Sequence, residues 1–526
     1  MKKHFKHMAR KTLTASIAAL LLATTLPLGS IAEDVTEKHR FMKGDIPVDD
    51  ETFMENIITE AKMKEDGVYE TYALKGFPTK VDLSTSIYFP PIINQGYIGS
   101  CTPCAVVYYQ FTYEANKLNK ITTTAENAYS PNWPFYYTQN GNTADKGCSF
   151  TSVYDFLKRH GALHMSDDPY NITYDSSKPL PSNYDKIRES LNTRLSSYTN
   201  FEIPGTGTPI VSVNDSDLEM AKIYLNSGKI LRTSSTFSFD EGTSGNDTIY
   251  YRCNTKEDDG HSFVVVGYDD TKAYDVNGNG IIEESEKGAF KIANSWGTDF
   301  GNNGYVWVLY DALNQVSNIP GNWESSLSGD RIAAFSVPSS DMNRFSAINV
   351  KNYEVDYVVE LKFSNVGASF VIPTLVRKVG DSESVSGRLA PHKETNSDFT
   401  LIFDCADICQ DVETYNKDFY LGVYLTGQER RLNYGYVTDN RGNRIETMYS
   451  VPGKPTGRYL APIDLIRGDV NYNGTITNAD VILVTRYCSG WDNLSNIQIY
   501  LADYNGDGKV TNTDVILMQR YIANNS

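Results

Sequence analysis

The stretch Asn94-Gln95-Gly96-Tyr97-Ile98-Gly99-Ser100-Cys101-Thr102-Pro103-Cys104-Ala105-Val106-Val107-Tyr108 decides how this chain is read. Its glycines permit a tight loop, and the apolar run after Cys101 predicts a buried helix. Proline is tolerated in the first turn of a helix, so Pro103 puts Cys101 at or near the helix start. Unpaired backbone amides and the macrodipole at that end favour a thiolate, the reactive form of cysteine. A lone cysteine in such a place is more often simply buried, so the reading needs partners elsewhere in the chain.

Two stretches downstream supply them. Gly260-His261-Ser262-Phe263-Val264-Val265-Val266-Gly267-Tyr268 sets a histidine at the start of a strongly apolar strand. Gly288-Ala289-Phe290-Lys291-Ile292-Ala293-Asn294-Ser295-Trp296-Gly297 sets an asparagine at the end of another. Either alone is a weak signal. Cysteine, histidine and asparagine in this order, with Gln95 six residues before the cysteine and a later Gly304-Tyr305-Val306-Trp307-Val308 run, resemble the papain family of cysteine peptidases. Val81-Asp82-Leu83 also looks like the start of a mature papain-like domain, and Gly147-Cys148-Ser149 like the family's glycine turn.

The resemblance implies roles that chemistry supports. Cys101 attacks the scissile carbonyl, and His261 pairs with it and later protonates the leaving amine. Asn294 orients the imidazole, Trp296 shields that contact from water, and Gln95 offers its side-chain amide to the oxyanion. Two positions depart from the family's pattern. Thr102 stands where a tryptophan is usual, and Ile98 where a cysteine would pair with Cys148. Cys148 is left either to pair with Cys104 or to stay free.

Between the histidine and asparagine strands lies Asp275-Val276-Asn277-Gly278-Asn279-Gly280-Ile281-Ile282-Glu283-Glu284-Ser285-Glu286. Side-chain oxygens of Asp275, Asn277, Asn279, Glu283 and Glu286 and the Ile281 carbonyl fall at the ligand positions of an EF-hand loop, with Gly280 at the sharp turn. The reading is a calcium (Ca2+) loop; a polar hairpin without metal is its rival.

The tail repeats that pattern twice. Asp469, Asn471, Asn473, Thr477 and Asp480, with the Thr475 carbonyl, form one ligand set. Asp503, Asn505, Asp507, Thr511 and Asp514, with the Lys509 carbonyl, form the other. The two units are offset by 34 residues and identical at eleven of nineteen positions, 469–487 against 503–521, so they are a duplication. Aspartate at the twelfth position and a single helix after each loop resemble a type I dockerin. That implies calcium and a cohesin module of a scaffold protein as partner, reached through Asn478-Ala479, Asn512-Thr513 and the helices that follow.

The rest of the chain sets limits. Its formal charge of −17 argues against nucleic-acid or anionic-membrane binding and suits recruitment of divalent cations. Lys2, Lys3, Lys6, Arg10 and Lys11 precede an apolar run from Ile17 to Leu28 and the small residues of Ser30-Ile31-Ala32, the pattern of a cleaved signal peptide. A secreted, extracellular protein follows from that reading. Seven cysteines are few for a disulfide framework, although Cys405 and Cys409 are close enough in sequence to close a small local loop.

The expected class is α+β: a papain-like two-lobed peptidase with a helical lobe and a β-barrel-like lobe, a β-rich middle domain, and a small α-helical dockerin with two EF-hand-like calcium loops. The expected boundaries are a signal peptide at 1–32, a prosegment or N-terminal extension at 33–77, the peptidase at 78–338, the middle domain at 339–455, a linker at 456–462 and the dockerin at 463–526. The function expected is hydrolysis of peptide bonds in protein or peptide substrates by a scaffold-docked enzyme. A catalytically dead papain-like binding or adhesion protein on the same scaffold is the alternative.

Overall fold

The apolar run after Cys101 forms one continuous helical stretch through Cys101–Pro103, Cys104–Phe111 and Thr112–Asn119. Its middle part is wound with π-type spacing, and the Thr112 hydroxyl bonds back to the Val107 carbonyl. Every side chain from Cys101 to Asn116 is buried. A helix buried on all sides belongs in the middle of a domain, and this one, with Gln110, Thr112, Glu114 and Asn116 among its buried residues, runs between the other helices and the sheet. Lys120, in the left-handed region at φ 57°, ends it.

The computed structural model describes residues 43–525 other than 75, 141–142, 145, 176–180, 182, 204–214, 314–343, 356, 365–370, 380–381, 389–398, 405–418, 426–430, 440–443, 450–457, 463–466, 472–474 and 495. The expected signal peptide, the start of the extension at 33–42, Cys405, Cys409, Asn473 and part of the linker therefore lie outside the described residues.

Helix Phe150–His160 is capped by the Ser149 hydroxyl, which accepts from Ser152 N. Its buried Val153, Phe156, Leu157 and His160 recur at helical spacing and form the stripe that packs on a neighbouring strand. Those side chains, with Val106, Val107 and Phe111 of the nucleophile helix, make one core; a second core lies on the sheet side around Leu231, Val265, Phe290 and Val308.

The peptidase sheet is built from β1 (Lys80–Asp82), β2 (Thr193–Glu202), β3 (Leu231–Ser244), β4 (Asp247–Ala273), β5 (Lys287–Ala293), β6 (Tyr305–Leu309) and β7 (Arg344–Asn352). Its order is β2-β7-β3-β4-β5-β6, with β1 also on β4. The long β4 pairs antiparallel with β5 near Val264 and parallel with β6 near Ile249, so the sheet turns back on itself. β7 lies beyond residue 338, the expected end of the peptidase domain. It is central to the peptidase sheet, with Phe345 and Ala347 in one core and Ile348 in the other. Burial on both faces removes the polar alternation that would tie it to either neighbour by sequence.

Beyond β7 come β8 (Tyr357–Ser364), β9 (Val371–Val379), β10 (Ser382–Arg388), β11 (Phe399–Asp404), β12 (Phe419–Leu425), β13 (Arg431–Asp439), β14 (Arg444–Tyr449) and β15 (Arg458–Pro462). They form two four-stranded antiparallel sheets, β10-β9-β12-β15 and β11-β8-β13-β14. The second sheet packs on the peptidase helices. Ile402 and Val358 enter the helical core, His160 Nδ1 donates to the Ile402 carbonyl at 3.3 Å, and Arg194 pairs with Asp404 at 2.8 Å with both side chains buried. In the tail, helices Asn478–Cys488, Asn496–Ala502 and Asn512–Asn525 surround buried Val481, Val484, Leu501, Val515 and Met518.

Residues 43–74 are a strap across the peptidase. Short helices Asp50–Met54, Glu60–Glu65 and Tyr69–Leu74 bury Phe53, Met63 and Val68 in the peptidase cores. Between the first two, Ile58 N donates to Asn200 O at 2.8 Å and Asn200 N to Asn56 O at 2.8 Å, pinning the strap to β2.

Candidate active site

Three elements deliver the predicted residues to one place. Cys101 opens the nucleophile helix, and its thiol is 4.0 Å from the Gly260 carbonyl, next to His261 on β4. His261 Nε2 donates to Asn294 Oδ1 at 2.7 Å. Trp296 stacks on the imidazole, with centroids 4.3 Å apart and planes 23° apart. His261 Nδ1 is buried and makes no hydrogen bond. It is the nitrogen left for a proton exchanged with a nucleophile.

The asparagine is itself held from several sides. Ser295 N donates to Asn294 Oδ1 at 2.7 Å, and Asn294 N donates to Gly304 O at 3.1 Å. The Tyr109 hydroxyl, from the nucleophile helix, donates to the Asn294 carbonyl at 2.7 Å and accepts from Ile93 N at 3.1 Å. Gln95 is fully buried; its amide nitrogen donates to Ile98 O at 3.0 Å and its amide oxygen accepts from Ser295 Oγ at 2.6 Å. The Gln95 amide is thus locked to the loop before Cys101 and to the residue after Asn294.

The strap covers this site. Gly44 N and Asp45 N both donate to Gly260 O, at 3.1 and 2.8 Å, and Gly260 N donates to Asp45 O at 3.2 Å. On the other wall Cys148 N donates to Gly44 O at 2.9 Å and Ile46 N to Cys148 O at 3.2 Å. A Cβ on Gly44 would lie 2.0 Å from the Gly99 carbonyl oxygen, so no larger residue fits there. Burial, and then the Asp45 carboxylate, push the Cys101 thiol up to about 11. Burial pulls His261 down to about 3, against the Asn294 hydrogen bond and with Lys43 assisting. The thiolate expected from the helix start is therefore suppressed here, because desolvation under the strap outweighs the helix amides.

The open choice for Cys148 is resolved. Cys101, Cys104, Cys148 and Cys488 are all free thiols, and Cys104 and Cys148 are buried. Burial pushes Cys104 up to about 12 and Cys148 higher still.

Residues 77–320 match the model of the papain family cysteine protease, and residues 467–523 that of the dockerin type I domain. This chain carries a papain-family cysteine protease domain and a C-terminal type I dockerin domain. The protease domain is also similar to procathepsin L of Felis catus, 26% identical over 258 residues that cover 48% of this chain and 67% of the relative. Among solved structures it matches xylellain, a cysteine protease from Xylella fastidiosa, at 20% identity and TM-score 0.38, over 60% of this chain and 97% of that one. It matches digestive procathepsin L 3 of Tenebrio molitor larval midgut at 18% identity and TM-score 0.34, over 52% and 71%.

The loop inserted in the protease domain and the second dockerin loop share a hydrogen-bond plan. Asp275 accepts from Asn279 N and Gly280 N, as Asp503 accepts from Asp507 N and Gly508 N. Glu286 accepts from Asn277 N and Glu283 N, as Asp514 accepts from Asn505 N and Thr511 N. In the first dockerin loop Asp480 likewise accepts from Asn471 N and Thr477 N. The first and twelfth residues thus fold the inserted loop and the second dockerin loop each around a shared centre, the arrangement an oxygen-lined calcium site needs. Glu286 is fully buried, and burial together with a hydrogen bond to Glu283 raises its carboxyl above the usual range. Among the described residues no group of three His, Cys, Asp or Glu side chains could hold a metal by itself, so Asn, Thr and backbone oxygens are needed to complete each set.

Sequence reasoning missed Asp45, Arg232 and Tyr109, and took Thr102 only as a departure. Tyr109 had a faint signal, a polar-tipped side chain just after the apolar run Cys104-Ala105-Val106-Val107. Asp45 had none, because a contact between residue 45 and residue 260 leaves no periodicity.

Proposed function

We propose that this protein is a secreted cysteine peptidase that hydrolyses peptide bonds through Cys101, His261 and Asn294, and that its dockerin attaches it to a cohesin-bearing scaffold outside the cell. The observation that carries the reading is the His261 Nε2–Asn294 hydrogen bond of 2.7 Å, with the other imidazole nitrogen unpaired beside the helix that begins at Cys101.

In this reading the Cys101 thiol gives its proton to His261 Nδ1 and its sulfur bonds to the scissile carbonyl carbon. The carbon–nitrogen bond breaks, and the proton on His261 leaves with the amine. Water, deprotonated by the now neutral His261, then hydrolyses the thioester and restores the thiol. The Cys101 backbone amide would serve the oxyanion, joined by the Gln95 side-chain amide, whose nitrogen carries two hydrogens and gives one to Ile98 O. Asn294 and Trp296 keep the imidazole in place and dry. In the two-lobed reading this cleft lies between the helical side and the sheet.

Residues 33–77 serve as a prosegment whose 43–48 stretch blocks the thiol until it is displaced. Calcium, when bound, supplies a charge that holds the acidic loops together. Asp275, Asn277, Asn279, Ile281, Glu283 and Glu286 would hold it in the protease domain. Asp469, Asn471, Asn473, Thr475, Thr477 and Asp480, and Asp503, Asn505, Asp507, Lys509, Thr511 and Asp514, would do so in the dockerin. No helix among the described residues is long and apolar enough to cross a membrane.

The test is turnover of an unfolded protein by the full chain under reducing conditions. It is abolished in Cys101→Ala if the reading holds, and turnover that survives Cys101→Ala sinks it. Calcium-dependent capture on an immobilised cohesin checks the docking half.

A further inference from the structure

The strap does more than cover the thiol; it fills a side-chain pocket with a carboxylate. The Asp45 side chain is 2% exposed. Its Oδ1 accepts from Arg232 Nη2 at 2.7 Å and from Thr102 Oγ1 at 2.8 Å. The pocket's cation is rigidly built. Arg232 Nε donates to Ser262 Oγ at 2.9 Å, its guanidinium lies 4.4 Å over the Phe150 ring, and its side chain is only 4% exposed. Among the described residues the ion pair of Arg232 is the one with Asp45.

Asp45 also sits in the site as a bound peptide residue would. It exchanges both backbone hydrogen bonds with Gly260, and the Gly260 carbonyl that accepts from its N–H is the one 4.0 Å from the Cys101 sulfur. Gly44 and Ile46 on either side bond to Cys148 on the opposite wall. A peptide that replaces the strap inherits this slot, and with it a side-chain pocket whose floor is a fixed guanidinium and whose wall is the Thr102 hydroxyl. A buried cation left without its anion is strongly unfavourable, and a neutral side chain cannot restore the pair.

We propose that this pocket selects an acidic side chain in the substrate, next to the bond that is cut, that Arg232 is the residue that determines this specificity, and that Asp45 is a built-in mimic of the preferred residue. The proposal rests on the reading of Cys101 as a peptidase nucleophile from which the strap is displaced.

The test uses the full chain carrying Asp45→Asn, whose strap no longer offers the pocket a carboxylate. Its probes are pairs of hexapeptides that differ only in Asp or Asn at each position beside the scissile bond. The Asp peptide of one pair is cleaved with a kcat/KM about ten-fold or more above its Asn twin, since a site built around a polar partner rejects the analogue that lacks it. Calorimetry with the Asp45→Asn/Cys101→Ala chain shows the same preference in Kd. Adding Arg232→Gln brings both ratios to about one, and Arg232→Lys keeps part of the preference. Equal cleavage and equal binding of every pair overturn the pocket and leave the peptidase reading standing. Acid-selective binding without any turnover supports the pocket and sinks the peptidase reading instead.

Discussion

The Tyr109 hydroxyl donates to the Asn294 carbonyl at 2.7 Å, tying the middle of the nucleophile helix to the strand end that orients His261. It links the helix that carries the thiol to the residue that holds the imidazole, and it also accepts from Ile93 N. In Tyr109→Phe both backbone groups lose their buried partner. The expected cost is about 1–3 kcal/mol of stability. A lower kcat with KM nearly unchanged follows, because the substrate contacts remain while the histidine loses its fixed position. Chemical denaturation and steady-state kinetics check both; a change in KM alone would refute the positioning role.

Cys101 is expected to be the fastest-alkylating thiol of the protease domain once the strap is loosened. Cys104 and Cys148 are buried among protein atoms and held higher still, whereas Cys101 is covered by Gly44 and Asp45. Asp45→Asn removes one anchor of the cover and the carboxylate that raises the thiol. Carboxymethylation at mildly acidic pH, mapped by peptide mass, should rise at Cys101 in that variant. Labelling of Cys104 or Cys148 with Cys101 untouched contradicts the mechanism.

Acid should weaken the strapped protein through its buried histidines. Burial holds His160 and His261 at about 3, against 6.5 for the free side chain. Between those values the unfolded chain binds protons that the folded chain refuses, so stability rises with pH across the window and is lost as pH falls below about 6.5. Each histidine adds up to one proton to the slope, about 1.4 kcal/mol per pH unit. His160→Gln, which removes one titrating group at the contact with Ile402, should shallow the pH dependence measured by denaturant unfolding between pH 6.5 and 4.

Glu286→Gln should lower the melting temperature in calcium while active protein keeps most of its turnover. Both carboxylate oxygens of Glu286 hold the loop closed through Val276, Asn277 and Glu283 amides, yet the loop lies outside the cysteine–histidine–asparagine cluster. Differential scanning fluorimetry with calcium and with chelator checks this. A variant that melts as the parent does in both conditions marks the loop as a polar hairpin.

The dockerin should bind its cohesin in two orientations. Ile482 and Ile516 occupy equivalent exposed positions on helices Asn478–Cys488 and Asn512–Asn525. Half a turn exchanges Asn478, Arg486 and Tyr487 with Asn512, Arg520 and Tyr521. Damage to one helix face should weaken binding only slightly in calorimetry, and damage to both should abolish it. Loss of binding from the first repeat alone, with its calcium loop intact, refutes the symmetry.

The sequence by itself determined which chemistry this chain carries. Cys101 and Asn294 lie at a helix start and just past a strand end, as their neighbours suggest, whereas His261, expected at a strand start, lies well inside β4. The duplicated tail is legible for the same reason, since its repeats are short runs of consecutive positions, and the dockerin type I domain matches there. Tertiary structure alone decided the rest. β7 pairs between β2 and β3 in the peptidase sheet, and its burial on both faces leaves no alternation in the sequence from which that pairing could be read. The state of the nucleophile was decided by residue 45 arriving beside residues 102, 232 and 260. Desolvation and a buried ion pair depend on what surrounds a group in space, and no spacing along the chain encodes which distant segment will do the surrounding.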